Sequence, residues 1–269
     1  MQMEQSNQAT DRIKLITRAD DAGSGTTADL AISETVEKGI VRNVSVMAVG
    51  RSVEHAAELL AGNGQICFGL HATLNSEWND VRWGPLSPKH TVHSLIERDG
   101  TFTRSPQRFL ANPPRKEEVF DELQVQLNRL RSLGFPIAYA DTHMAFEWAI
   151  PWFEEPFDRW CEREGIRNYK RYSRVLPGFG YEDLQYPEDP VTRMTEMLER
   201  AEPGQYLVVG HPGYDDLSMR AFGNADYPGE RVARDRALER EMFMRADVLD
   251  ACARLGVRPI RYDEAEPIK

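Results

Sequence analysis

No stretch of this 269-residue chain approaches the roughly 20 apolar residues needed to cross a bilayer, and Met1–Asp11 is polar where a secretory leader would be apolar. A membrane protein and a Sec-exported protein are both disfavoured, and a soluble, cytoplasmic protein is expected. Cysteine is scarce: Cys67, Cys161 and Cys252 stand far apart, form no Cys-x-x-Cys pair and are odd in number. That excludes a disulfide scaffold and suits free thiols in a reducing compartment. Basic residues are also in deficit. With 33 Lys and Arg against 43 Asp and Glu, the formal charge is -10. Such a balance disfavours nucleic acid as a partner, because phosphate binding needs cationic surface, and fits a neutral or cationic small molecule better. Gly23-Ser24-Gly25 lacks the flanking residues of a nucleophile elbow or a phosphate loop, so covalent serine catalysis is not expected. Internal repeats, low-complexity tracts and dividing linkers are absent. The oligomeric state does not follow from these features, and a homo-oligomer is compatible with them.

The composition, 41% hydrophobic and 28% charged, is that of a globular chain. After a polar tail over residues 1–12, one domain is expected over 13–269. Apolar runs and helical periodicity alternate along it. Strands are predicted at Ile13–Arg18, Asn43–Val49, Ile66–Leu70, Ile137–Ala140, Arg167–Tyr172, Tyr206–Val209 and Val257–Tyr262. Between them lie helices at Ala28–Lys38, Val53–Ala61, around Phe120–Leu130, Phe153–Glu164, Val191–Arg200 and Arg234–Leu255. Two long irregular segments interrupt the pattern, one near 75–115 and one at Gly210–Gly229. The first carries Trp78, Trp83, five prolines and the turn Asp99-Gly100, and a long insertion of this kind is expected to shape a pocket. Strand–helix alternation implies a parallel sheet with right-handed crossovers, and seven or so units favour a distorted (β/α) barrel over an open doubly wound sheet.

Five residues share an address in this scheme. Asp20 and Asp21 follow the first strand, His71 the third, His143 the fourth and His211 the sixth. The C-terminal ends of parallel barrel strands converge on one face, where active sites form. An acidic pair before a helix is as readily a cap as a catalytic element. Two imidazoles with one carboxylate, however, suit a divalent ion, and Asp21, His71 and His143 supply that set. Asp141 is placed to orient a ligand from behind. His55, His90 and His93, in a helix or the insertion, read as ordinary surface or satisfied side chains. His211, in Gly210-His211-Pro212-Gly213, can be a stiffened turn residue or a proton carrier, and its strand-end position favours the second. Trp78, Trp83 and Tyr214 offer faces on which a sugar would stack, and Arg171 a hydrogen-bond donor, although each is as readily packing or a solvated charge.

Taken as an ordered set, Arg18-Ala19-Asp20-Asp21-Ala22-Gly23, Gly69-Leu70-His71-Ala72-Thr73-Leu74, Asp141-Thr142-His143 and His211-Pro212-Gly213-Tyr214 resemble the YdjC-like carbohydrate deacetylases, which include chitooligosaccharide deacetylase. The resemblance spans roughly residues 13 to 262. It implies a polysaccharide-deacetylase-like distorted barrel and a metal-dependent hydrolase removing acetyl groups from N-acetylated sugars or short oligosaccharides. It also implies roles: Asp20 as base, Asp21, His71 and His143 as ligands of one divalent ion, Mg or Zn, and His211 as acid. One departure stands out. The family often has further histidines just after the position of His143, where this chain has Ala145 and Phe146. Rival readings are another metal-dependent barrel enzyme, such as an amidohydrolase, aldolase or isomerase, and a noncatalytic sugar-binding protein with a vestigial site.

Overall fold

The computed structural model describes residues 12–172, 174–180 and 189–268. Apart from Arg12, the polar tail expected at 1–12 lies outside them. Seven strands form one parallel sheet: β1 Ile13–Ala22, β2 Asn43–Val46, β3 Cys67–Ala72, β4 Ile137–Thr142, β5 Arg167–Asn168, β6 Gly204–Gly210 and β7 Val257–Ile260. They are ordered β5-β4-β3-β2-β1-β6, with β7 also paired to β1. The sheet curls into a half-barrel. Its two ends approach through irregular chain: beyond β5, Leu176 donates its N–H to Leu207 of β6, and Leu207 donates back to Arg174. This is the distorted parallel barrel that the alternation predicted.

Helices α1 Thr26–Lys38, α2 Val53–Leu60, α4 Lys116–Ser132, α5 Glu154–Glu164, α6 Pro190–Arg200, α7 Gly229–Met244 and α8 Ala246–Leu255 accompany the strands, with a short α3 at Gln107–Ala111 in the insertion. In α1 the buried Ala28, Ala31, Ile32, Thr35 and Val36 form one stripe at helical spacing against the sheet. Among the described residues, no helix is long and apolar enough to cross a membrane.

Three expectations change. The predicted strand Arg167–Tyr172 is strand only at Arg167–Asn168 and then tightens into a 3-10 turn at Tyr169–Arg171, whose first free N–H is capped by the Asn168 side chain. The single closing helix is two. Arg245 is extended (φ -62°, ψ 141°) and its guanidinium pairs with Asp247, so the chain turns between α7, which packs on α1, and α8, which packs on α6. The carbonyl of Phe243 near the end of α7 accepts the N–H of Ile40, an approach so close that a Cβ on Gly39 would lie 2.2 Å from that oxygen. Finally, β1 and β3 run further than predicted, to Ala22 and Ala72, so Asp20, Asp21 and His71 lie within the strand ends rather than after them.

The inner face of the barrel follows the two-residue period of each strand. An apolar floor of Ile16, Cys67, Tyr139, Leu207, Ile260 and Tyr262 packs as one cluster. Gly69 makes room in it, since a Cβ there would lie 2.2 Å from the Tyr139 ring. Two residues further along three of these strands come Arg18, Asp141 and, beyond Gly69, His71, so a polar layer sits on the apolar one.

β2 and β7 lie end to end along the same edge of β1, and Asn43 seals the joint. Its amide donates to the carbonyls of Thr17 (3.0 Å) and Ile260 (2.9 Å), and its oxygen accepts the N–H of Tyr262 (2.7 Å). Asn43→Ala would strand these buried groups and should cost about 2–4 kcal/mol in urea denaturation; a loss below about 0.5 kcal/mol would refute the role of Asn43 as the seal.

Candidate metal and catalytic centre

Successive residues of a strand point to opposite faces, yet Asp20 and Asp21 both meet the barrel interior. The backbone at Asp21 is in the left-handed region (φ 68°), and the pairing of β1 with β2 shifts register between Ala19 and Ala22. This bulge re-aims Asp21. Its Oδ1 lies 3.5 Å from His71 Nε2 and 3.4 Å from His143 Nδ1, and those two nitrogens are 3.1 Å apart. All three side chains are buried. A cation with bonds of about 2.1 Å holds its ligands roughly 3.0–3.4 Å from one another, so the triangle has the dimensions of a coordination face.

Two further observations test the fit. Asp21 Oδ1 is buried without a hydrogen-bond partner among the described residues. Each imidazole is also held from behind by a carboxylate: His71 Nδ1 by Asp141 at 2.5 Å, and His143 Nε2 by Glu77 at 3.0 Å. Each pair turns the other ring nitrogen, Nε2 of His71 and Nδ1 of His143, toward Asp21, where it can bind a cation on losing its proton. These residues fit one divalent ion. A second set, Asp20, His71 and Asp141, is equally compact, but Arg18 already compensates it. The guanidinium grips Asp20 through Nε (2.7 Å) and Nη2 (2.8 Å) and reaches Asp141 Oδ2 through Nη1 (3.0 Å).

Charge is concentrated here. Burial opposes ionisation of Asp21, but the Arg236 guanidinium, 2.6 Å from Oδ2, and the two imidazoles hold its carboxyl well below the usual range. Burial likewise disfavours charged imidazoles. The carboxylates Asp141 and Asp20 nevertheless raise His71 to about 10, and Glu77 and Asp21 raise His143 to about 9. Asp141, despite burial, is held low by Arg18 and His71.

His211 begins the loop after β6, with 36% of its side chain exposed. Glu239 of α7 accepts its backbone N–H (2.5 Å) and lies 3.3 Å from Nδ1. Burial pulls this imidazole down, but Glu239 outweighs it and raises the pKa. Beside the cluster, Met144 (φ 53°) and Ala145 (φ 48°) also occupy the left-handed region directly after His143, and Phe146, next in the chain, is buried.

The other residues singled out in the sequence are placed differently. Trp83 is buried, bonds the Asn75 carbonyl through Nε1 (2.7 Å) and packs edge-on against His143 with centroids 5.8 Å apart, so it is a wall rather than an open sugar platform. Trp78 is buried against Phe222. Tyr214 gives its hydroxyl to Glu34 (2.8 Å) and its ring face to Arg240. Arg171, largely exposed, is ion-paired with Asp158 of α5, an outer helix. His55 pairs with the buried Asp29, an ordinary role. Four contributors escaped the sequence: Arg18, Glu77, Arg236 and Glu239. Arg18 left a signal in its two-residue spacing from Asp20, and Arg236 and Glu239 in their three-residue spacing on one helix face, whereas Glu77 left none.

Fold and site together define a parallel half-barrel with a buried Asp-His-His cradle at the C-terminal ends of its strands, flanked by a carboxylate-backed histidine. More particularly, the chain belongs to the YdjC-like protein family, whose model matches residues 14–254. It is 26% identical over 259 residues to a carbohydrate deacetylase of Geobacillus stearothermophilus, covering 93% of this chain and 96% of that one. It is 28% identical over 230 residues to a carbohydrate deacetylase of Clostridium beijerinckii, covering 80% and 88%. Among solved structures it superposes with TM-score 0.70 on an Enterococcus faecalis protein described as a candidate cellobiose-phosphate cleavage protein, at 18% identity over 93% of this chain and 98% of that one.

The raised imidazoles carry a consequence for the metal-free protein. Unfolded histidines titrate near about 6.5, so the folded state binds these protons more tightly. Their stabilising contribution is complete below about pH 6.5 and is lost as pH rises through about 9 and about 10. Chelator-treated protein should therefore show a Tm that falls across this window, with a shallower slope in His71→Asn and His143→Asn. A Tm that climbs across it, or an equal slope in the variants, would contradict the assignment.

Proposed function

We propose that this chain is a metal-dependent carbohydrate N-deacetylase, hydrolysing the acetamide of an N-acetylated sugar or short oligosaccharide to acetate and the free amino sugar. The observation that carries the reading is the unpartnered, buried Asp21 Oδ1 facing two imidazoles whose far nitrogens are held by carboxylates. The carbohydrate deacetylases among its relatives support the choice of substrate.

Asp21, His71 and His143 hold the ion, Mg or Zn. When bound, it supplies positive charge that makes the attacking water more acidic and draws electron density from the acyl oxygen. Asp20 takes the proton from the water. Arg18 occupies one lone pair on each Asp20 oxygen and leaves the others to accept it. Glu239, beside Nδ1, favours the protonated form of His211, which gives a proton to the departing amine. The substrate is a small molecule rather than a nucleic acid or a membrane, and three buried free thiols support a cytoplasmic setting.

Acetate release from a panel of N-acetylated mono- and oligosaccharides, with metal-stripped and reconstituted protein, tests the reading. Release restored by metal is expected. Metal and sugar binding without turnover, or turnover of another kind, would overturn it in favour of a binding protein or another barrel enzyme.

The two adjacent carboxylates should separate by mutation. Asp20→Asn should remove most turnover and keep the ion, whereas Asp21→Asn should weaken ion binding itself. Both substitutions preserve size and remove one negative charge, so a purely electrostatic effect would lower metal affinity equally in the two. That result, or near-normal turnover in Asp20→Asn, would reject the assignment.

The insertion at 75–115, part of one catalytic domain over 13–269, forms a wall of the pocket: Glu77 and Trp83 both abut His143. Shortening its exposed stretch Pro88–Thr91, which spares both residues and the buried Val92 and Leu95, should change KM or the preference among sugars. Unchanged kinetics across the panel would reject a substrate role for that part.

A further inference from the structure

Two arginines are buried in the centre, and they are used differently. Arg18 spends all three nitrogens on carboxylates, Nε and Nη2 on Asp20 and Nη1 on Asp141. Arg236, only 7% exposed, meets Asp21 end-on: Nη2 donates to Oδ2 at 2.6 Å, and Nη1 is buried with no hydrogen-bond partner among the described residues. A guanidinium that served only to neutralise Asp21 would gain most from a two-nitrogen fork, as Arg18 does on Asp20. Burying two N–H groups without acceptors is costly, so their persistence points to an acceptor that arrives with a ligand.

The position of Arg236 says which ligand. Asp21 presents Oδ1 to the imidazoles and Oδ2 to Arg236, so the guanidinium lies on the side of Asp21 away from the two histidines. One helical turn further along α7, Glu239 holds His211. Arg236 is thus flanked by the Asp-His-His cradle on one side and the proton carrier on the other, while the Phe222 ring, 5.6 Å from Cζ, covers part of it from a third. What passes between these groups, on the reading above, is an acyl carbonyl with its amine.

We propose that Arg236 is a further catalytic residue, whose Nη1 donates to the acyl oxygen of the substrate and afterwards to the carboxylate of the released acetate. This rests on the deacetylase reading. The hydrolysis balances without proton loss from the guanidinium: water oxygen bonds to the carbonyl carbon, the C–N bond breaks with its electron pair staying on nitrogen, the nitrogen takes up the two protons of the water, and acetate departs beside the ammonium form of the sugar. Arg236 contributes a fixed donor to the oxygen on which negative charge develops, the kind of contact worth on the order of 10²–10³ in kcat.

Arg236→Lys, which keeps a positive charge near Asp21, and Arg236→Ala should be compared with wild type in three measurements: zinc affinity, kcat and KM, and calorimetric titration of the zinc-loaded protein with sodium acetate. The expected result is zinc binding in Arg236→Lys within a few-fold of wild type, kcat lower by about a hundredfold, weakened acetate binding, and partial rescue of Arg236→Ala by added guanidinium. Loss of kcat that merely follows loss of zinc would mean that Arg236 only neutralises Asp21 and would overturn the proposal. So would wild-type kcat and acetate binding in Arg236→Lys. Should the wild type release acetate from no N-acetylated sugar, the deacetylase reading fails on its own; acetate affinity at equal zinc occupancy still decides on Arg236, weaker binding in the variant supporting the donor and equal binding refuting it.

Discussion

A strand that alternates its side chains cannot turn two consecutive carboxylates into one cavity, and β1 does so by carrying Asp21 at φ 68° across a register shift. A non-glycine residue in that region costs of order 1–3 kcal/mol, and surrounding structure must hold it there. β1 is the strand best able to do so, because it pairs with β2, β6 and β7 along its length. Arg18 and Arg236 then fix the two carboxylates from opposite sides. Without the bulge Asp21 would leave the interior and Arg236 would lose its partner.

The second condition is electrical. Ionised groups placed this deep are tolerable only when paired, and the centre is arranged as alternating signs: Arg18 between Asp20 and Asp141, His71 between Asp141 and Asp21, His143 between Glu77 and Asp21. Each backing carboxylate does two things at once. It stabilises charge, and it fixes which imidazole nitrogen faces inward. In the metal-free protein the same carboxylates favour protonated rings, so protons and a cation compete for one set of nitrogens.

Much of this was legible as period two. Ile16-Arg18-Asp20, Cys67-Gly69-His71, Tyr139-Asp141-His143 and Leu207-Val209-His211 each climb one inner face from apolar floor to functional rim, and a parallel sheet brings the four rims together. Four of the five residues, Asp20, His71, His143 and His211, lie on these series, and their strand-end positions are what made residues up to 191 positions apart (211 - 20) assignable to one pocket. Bulge geometry was not legible, because Asp21 carries no local mark of a left-handed backbone. Glu77 was hidden in an insertion with neither period. The aromatic side chains left packing and stacking open because size and stacking capacity do not reveal burial: Trp83 has the reach to meet a sugar and packs against His143.

The closing helix shows a subtler limit. Helical periodicity over Arg234–Leu255 made one helix of what is two, since Arg245 breaks the run without any glycine or proline to announce it. α7 lies against both α1 and α6, and after the turn α8 continues along α6 into β7. The bend frees α7 to lie over the rim, where Arg236 and Glu239 reach Asp21 and His211 from the same face. These residues link the cradle to the proton carrier. Their placement therefore depends on a backbone turn that apolar patterning does not encode, because the pattern reports which face is buried and not where the axis changes direction.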